Sequence, residues 1–234
     1  MIAAAGSGQR LGAGGPKAFV PVAGRALVEW SLAAFRAAPS VGAIVIACPP
    51  GHAPELDGDD VRVVDGGATR AESVSNALAA VGTELVAIHD AARPLVTPEL
   101  IEGVIATLAD DPDAAGAIAA TPVTDTIKQV GATDADPQVQ CNAFRSPEAR
   151  KALQCVERTL DRRRLWAAQT PQVFRIEALR EALAADPEAI AAATDEAMIV
   201  ETIGGKVLIH PSPPENLKVT TPFDLRVAEL LLRQ

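Results

Sequence analysis

The chain of 234 residues is long enough for one large domain with its own core, with room for an insertion but not for a second full enzyme. Lys+Arg 21 against Asp+Glu 30 leaves a net charge of -9, which excludes a broad nucleic-acid footprint and requires that any anionic ligand be held by local basic clusters. No apolar run approaches the roughly 20 residues that cross a bilayer. Cys48, Cys141 and Cys155 have no repeated spacing and no charged-then-apolar leader precedes them, so a reducing, cytoplasmic compartment is expected, with a Cys141–Cys155 bridge left open.

Taken from the start, Met1-Ile2 leaves room for only a very short strand before Ala3-Ala4-Ala5-Gly6-Ser7-Gly8-Gln9-Arg10-Leu11-Gly12-Ala13-Gly14-Gly15-Pro16-Lys17. Small residues such as Ala4, Ala5, Gly6 and Gly8 let a backbone lie flush against a polyphosphate, while Arg10 and Lys17 bring full positive charges. As structure alone it would be a flexible loop after an edge strand. Six residues separate Gly8 from Gly15 and Lys17 follows a proline, so it is no Walker A loop. Gln9, Arg10 and Leu11 stand where a dinucleotide fingerprint wants its third glycine, which argues against a Rossmann oxidoreductase. What the loop resembles is the nucleotidyltransferase motif Ala-Ala-Gly-x-Gly-x-Arg-Leu followed by Pro-Lys, which grips a nucleotide triphosphate.

Beyond it, short apolar runs alternate with helical periodicity, the pattern of a mostly parallel sheet with helices on both faces. Strands are predicted over Ala43 to Cys48, Val61 to Val64, Leu85 to His89, Ala114 to Ala120 and Lys206 to His210. Helices are predicted over Ala26 to Ala37, Ala71 to Val81, Pro98 to Leu108, Ile176 to Ala185, Asp195 to Ile203 and Pro222 to Leu232. Thr97-Pro98 and Thr221-Pro222 place a capping hydroxyl before a proline at the first helical position. No domain boundary is expected, but Thr124 to Pro171 lacks the βα rhythm and reads as a surface loop or an arm that packs elsewhere.

Ligands of open parallel sheets collect at the carboxyl ends of the strands, and three polar loops fall there. Asp65-Gly66-Gly67-Ala68-Thr69-Arg70-Ala71-Glu72-Ser73 offers backbone N–H groups, Arg70 and the Ser73 hydroxyl to a base or phosphate; as structure alone it is a glycine turn with a capping residue. In His89-Asp90-Ala91-Ala92-Arg93-Pro94, Asp90 can accept from substrate hydroxyls or sit near a divalent metal. Arg93 can hold Asp90 or bind phosphate, an Asp–Arg pair that only pins the loop is the plain alternative, and His89 is scaffold. Lys218, in Pro214-Glu215-Asn216-Leu217-Lys218-Val219-Thr220, can neutralise phosphate or be a solvated charge. Arg162-Arg163-Arg164 is a solvated run or, beside Trp166 and Thr170-Pro171-Gln172, a phosphate clamp.

In their order these stretches, with Asp125-Thr126-Ile127-Lys128 and Thr194-Asp195-Glu196-Ala197, resemble the 2-C-methyl-D-erythritol 4-phosphate cytidylyltransferase family over nearly the whole chain. The resemblance implies a Rossmann-like α/β fold of the nucleotide-diphospho-sugar transferase type, single over 1–234, with a protruding dimerisation β-arm at about 124–171. It implies transfer of CMP from CTP to the methylerythritol phosphate, in the non-mevalonate isoprenoid pathway, with Mg2+ or another divalent cation whose ligands stay unassigned. Arg10 and Lys17 would stabilise charge on the triphosphate, Gly67 and Ser73 would sit at the cytosine, Asp90 at the acceptor hydroxyls, and Thr170 with Lys218 around the acceptor phosphate. Arg162 and Thr126 would reach the neighbour's site in a homodimer.

Several positions depart from the family pattern. The family has several apolar residues before the position of Ala3; an insertion containing Cys141 and Cys155 lies between Thr126 and Arg162; and the usual Asp before the late lysine is absent, Glu215 being the nearest acid. A phosphate monoester has its second pKa near 6, so the acceptor is a ready nucleophile and no Ser–His–Asp or Cys–His set is needed. Competing readings are a cytidylyltransferase for another polyol phosphate, such as ribitol 5-phosphate, and an inactive nucleotide-binding module.

Overall fold

The computed structural model describes residues 1–6, 8, 11, 15–51, 60–130, 156–185 and 187–233. It groups into two compact units, Met1–Thr121 with Ala168–Gln234, and Pro122–Ala167. In the larger unit the chain runs through β1 (Ile2–Ala3), the hairpin strands β2 (Pro21–Val22) and β3 (Arg25–Ala26), α1 (Leu27–Ala37), β4 (Ile44–Cys48), β5 (Val61–Asp65), α2 (Arg70–Leu78), β6 (Leu85–Asp90), α3 (Pro98–Ala109) and β7 (Gly116–Pro122). The smaller unit holds β8 (Lys128–Val130) and β9 (Val156–Thr159). Then come β10 (Trp166–Arg175), α4 (Ile176–Ala185), α5 (Pro187–Ala192), α6 (Glu196–Thr202), β11 (Val207–Pro211) and α7 (Pro222–Leu232).

The sheet order is β11-β7-β10-β6-β1-β4-β5. β1 pairs in parallel with β4 on one side and β6 on the other, so a strand of two residues is enough at the centre. Chain direction fixes the layers by simple alternation. All five β4 residues are buried; Ile44, Ile46 and Cys48 face Val28, Leu32 and Phe35 of α1 and Ile101, Val104 and Leu108 of α3, while Val45 and Ala47 face Val74 and Leu78 of α2, Leu179 of α4 and Ile199 of α6. Helices thus cover both faces, as expected. The expected caps are also present: the hydroxyls of Thr97 and Thr221 accept from Leu100 and Asp224 N–H, with proline next in line.

Besides the unforeseen β2–β3 hairpin, which takes Ala26 from the expected helix, two elements differ from expectation. Residues 168–171, expected to continue the arm, lie in β10, which runs antiparallel to β6 with Gln172 opposite Ile88. A proline and three polar side chains hide this strand in the sequence; they are tolerated because Gln169, Thr170 and Gln172 are buried with hydrogen-bond partners. α5 also went unforeseen. In the smaller unit β8 and β9 form an antiparallel ribbon with a register shift between Gln129 and Val130. The insertion with Cys141 and Cys155 falls outside the described residues; Cys48 is a free, buried thiol, pushed up to about 11 by burial and by Asp65.

Candidate active site at the carboxyl ends of β1, β5 and β6

After β1 the chain turns to one side of the sheet to build β4 and β5, and then returns to the other side as β6, so the crevice above β1 is the switch point where a ligand can sit between diverging loops. A cleft of about 400 Å³ opens there, and the segment after β1 (Ala4, Ala5, Gly6), Lys17, the turn after β5 through Gly67, Ala68, Thr69, Arg70 and Ser73, and Asp90 with Lys218 all line it. Had the glycine loop lain away from Asp90 and Lys218, phosphate transfer would have lost its basis. Gly8 has φ +66°, and a Cβ there would stand 2.7 Å from Cβ of Lys17, so glycine both permits the left-handed turn and lets the loop close on Lys17. The closure is held by Lys17 N–H donating to the Gly6 carbonyl at 3.2 Å. Arg10 lies outside the described residues.

Of the two readings of the turn after β5, the capped glycine turn accounts for its first amides: Gly66 N–H donates to the Cys48 carbonyl of β4, Gly67 N–H to Ser73 Oγ at 3.0 Å, and Ala68 and Thr69 N–H to Oε2 of Glu72. Ser73 Oγ in turn donates to the Thr69 carbonyl. The cause is the capping box of α2, in which Thr69 and Glu72 answer each other and draw the preceding amides inward. Gly67 is required by contact, since a Cβ there would be 2.2 Å from Cβ of Glu72.

On the opposite side, charge dominates. Asp90 ends β6, with Oδ1 3.3 Å from Nη2 of Arg70 and Oδ2 2.7 Å from Nζ of Lys218. Burial opposes the Asp90 charge, but Arg70 and then Lys218 outweigh it and hold the carboxyl well below the usual carboxylate range. The expected Asp90–Arg93 ion pair is not formed. Arg93 is buried, donating from Nη1 to the Asn216 carbonyl at 2.8 Å and from Nη2 to the Ala168 carbonyl, while its Nε finds no hydrogen-bond partner among the described residues. It braces the loop that carries Lys218, whose chain is also tied by Val219 N–H to the Ala92 carbonyl.

Beneath the site His89 is fully buried and scaffolding, as expected. Nε2 faces the Arg93 carbonyl, which can only accept; Nδ1 therefore accepts from the Thr170 hydroxyl, and Thr170 Oγ1 accepts from Asp90 N–H. Burial lowers the imidazole to about 3, so at neutral pH it is uncharged with both nitrogens engaged. Thr170, an expected acceptor-phosphate contact, is buried in this chain of bonds. Three residues that sequence reasoning passed over complete the frame: Gln169, Ser212 and Asn216 share a buried set in which Asn216 Nδ2 donates to Gln169 Oε1 and the Thr170 carbonyl at 2.9 Å each. In the smaller unit Thr126 is exposed, Arg162 donates to the Thr124 carbonyl, and Arg163 is taken by Asp161.

Cations gathered at the switch point of a parallel sheet, beside main chain built of small residues, are suited to phosphate chemistry, and fold and site together are those of an α/β nucleotidyltransferase. More particularly, the chain belongs to the 2-C-methyl-D-erythritol 4-phosphate cytidylyltransferase family, IspD, whose family model matches residues 1–234. It is 41% identical to the protein of that name from Symbiobacterium thermophilum, covering 100% of this chain and 92% of that one. It is 39% identical to the one from Saccharopolyspora erythraea, covering 99% and 97%. The crystal structure of the Thermus thermophilus enzyme superposes with a TM-score of 0.76 at 33% identity, covering 100% of this chain and 98% of that one. The Francisella tularensis enzyme gives 0.77 at 28%, covering 98% and 96%.

Proposed function

We infer that the protein transfers CMP from CTP to 2-C-methyl-D-erythritol 4-phosphate, releasing pyrophosphate and forming 4-diphosphocytidyl-2-C-methyl-D-erythritol, a step of isoprenoid precursor synthesis. Within the family, the observation that carries this reading is the presence of Lys17, Asp90 and Lys218 in one cleft. The acceptor phosphate is largely dianionic at neutral pH and attacks the α-phosphorus in line; the new O–P bond forms as the bond to the β-phosphate breaks and pyrophosphate leaves. No side chain has to take a proton, and His89, neutral and occupied on both nitrogens, is not placed to do so. The work left to the protein is orientation and charge: Lys17, with Arg10, stabilises the negative charge that grows on the triphosphate, and Lys218 holds the acceptor phosphate near Asp90.

Mg2+ belongs to the same proposal. Among the described residues no three His, Cys, Asp or Glu side chains gather as a metal site, and Asp90, the one carboxylate among the described cleft residues, is already paired with two cations. The residues fit a cation that arrives on the triphosphate, whose oxygens are suitable hard ligands, better than one held by a side-chain cage. When bound, it supplies neutralisation of phosphate charge. The test is pyrophosphate release by the purified protein with CTP and either the methylerythritol phosphate or ribitol 5-phosphate. Release with the first, abolished by EDTA and restored by Mg2+, is expected; release with ribitol phosphate alone, or none with either, defeats the reading.

Homodimerisation through the arm, with Thr126 and Arg162 completing the neighbour's site, and a cytoplasmic location are proposed from the resemblance. Among the described residues no helix is long and apolar enough to cross a membrane. Mixing Lys17→Ala and Arg162→Ala protein should restore activity, because one of the two sites in a hybrid dimer is then intact; hybrids that form but stay inactive refute the sharing.

A further inference from the structure

Glu196 takes no part in the chemistry just described, yet it points its charge toward that chemistry from a buried position. Its side chain is 1% exposed, Oε1 accepts from Nη1 of Arg70, and Oε2 is buried without a hydrogen-bond partner. Its neighbours on both sides are held: Gln172 Nε2 donates to Asp195 Oδ2 at 2.9 Å, Ala197 N–H donates to Gln172 Oε1 at 3.3 Å, and Asp195 Oδ1 caps α6 through Met198 N–H. An orphaned carboxylate oxygen is an expensive thing to hold still in an apolar core. From this anchor the charges alternate outward to the cleft: Glu196, Arg70, Asp90, Lys218.

We propose that Glu196 is a positioning residue for the acceptor half of the reaction: by engaging one nitrogen of Arg70 it stops that guanidinium from closing on Asp90 with both. A guanidinium facing a single carboxylate forms a two-bonded fork. Such a fork would use both Asp90 oxygens, of which Lys218 holds one at 2.7 Å and the other, among the described residues, has only the 3.3 Å contact with Arg70. Glu196 thereby keeps Asp90 able to receive the hydroxyls of a polyol phosphate, and keeps Lys218 where it can meet the phosphate. The nucleotide half is insulated from the change, because the turn before α2 is held by Thr69, Glu72 and Ser73 without Glu196. Burial pushes the Glu196 carboxyl upward, and the Arg70 guanidinium opposes that shift.

The inference rests on the proposed reaction, and its test is steady-state kinetics of Glu196→Gln with each substrate varied at saturation of the other. KM for 2-C-methyl-D-erythritol 4-phosphate is expected to rise on the order of tenfold, the usual effect of weakening one hydrogen bond to a charged group. KM for CTP should move by less than about twofold. Glu196→Asp, which keeps the charge, should recover part of the acceptor KM. In an Arg70→Gln background Glu196→Gln should add nothing. An unchanged acceptor KM, equal rises for both substrates, or additive effects in the double variant each overturn the inference. Should Glu196→Gln fail to fold, Glu196→Asp, whose shorter side chain loosens its hold on Arg70, must raise the acceptor KM and leave that for CTP within about twofold; any other pattern also overturns it. Wild-type inactivity with this acceptor removes the reaction and the inference together, whereas an active wild type with an unshifted variant removes the inference alone.

Discussion

On one side of the cleft, the turn from Gly66 to Ser73 spends its hydrogen bonds on itself, every amide from Gly66 to Thr69 having a partner inside the turn or on β4. On the other side, Asp90 and Lys218 hold each other by charge across 2.7 Å while Lys218 remains 44% exposed. The first arrangement makes a fixed shape, against which a flat base can be selected by fit. The second makes a set of charges whose partners can be exchanged: when a phosphate arrives, Lys218 can turn part of its charge to it without leaving Asp90 uncompensated, because Arg70 stays. Under the proposed reaction the fixed shape would receive the nucleotide and the exchangeable charge the reacting phosphates, and substitutions on the two sides should then fail in different ways.

The largest effect is expected where charge meets the donor. Lys17→Ala should lower kcat on the order of 10² to 10³, by analogy with removal of one oxyanion donor, with little change in Tm. Near-normal turnover would remove the role proposed for Lys17. Next in size is a stability effect seated beneath that side. His89 is uncharged when folded, with its pKa depressed from 6.5 to about 3. The unfolded chain therefore binds a proton that the folded one refuses, and the stability this group contributes is full above pH 6.5 and lost as pH falls toward 3. In urea titrations between pH 6 and 4 it should account for about 1.4 kcal/mol per pH unit of the decline. His89→Gln, measured the same way, should lose that part of the slope; an equal slope in the variant would mean that the imidazole is already protonated in the folded state.

Much of this was legible because local chemistry carries it. Thr97-Pro98 and Thr221-Pro222 begin helices by mechanisms that act within four residues, and the apolar runs from Ala43, Val61 and Leu85 begin within a residue of their strands. What stayed hidden depends on partners far along the chain. β10 reads as loop because Pro171 cannot donate to a ladder and Gln169, Thr170 and Gln172 are polar where a central strand is usually apolar, and Asn216, Ser212, His89 and Asp195 supply the bonds that allow their burial. The Arg70 contact with Glu196 spans 126 positions and leaves no local trace. Nearness in sequence also misled: Arg93 stands three residues after Asp90, yet the guanidinium that pairs with Asp90 comes from α2. The turn after β5 could be read as a set of donors or as a capped glycine turn, because its glycines were visible and the inward pull of Glu72 was not.

The smallest of the expected effects tests the shape-making side most directly. Ser73→Ala removes the oxygen that accepts from Gly67 N–H at 3.0 Å and donates to the Thr69 carbonyl, without touching any charge in the cleft. A partly buried donor left without its acceptor costs about 1 kcal/mol, which for a chain of this length lowers Tm by about 2–4 °C. Because the loss loosens the turn and leaves Asp90, Arg70 and Lys218 in place, KM for CTP should rise roughly fivefold, the equivalent of about 1 kcal/mol, while kcat and the acceptor KM stay within about twofold. A fall in kcat with KM for CTP unchanged would place the Ser73 hydroxyl among the groups that meet the transition state, and the division between a fixed shape and exchangeable charge would then run through the turn itself instead of between the two sides of the cleft.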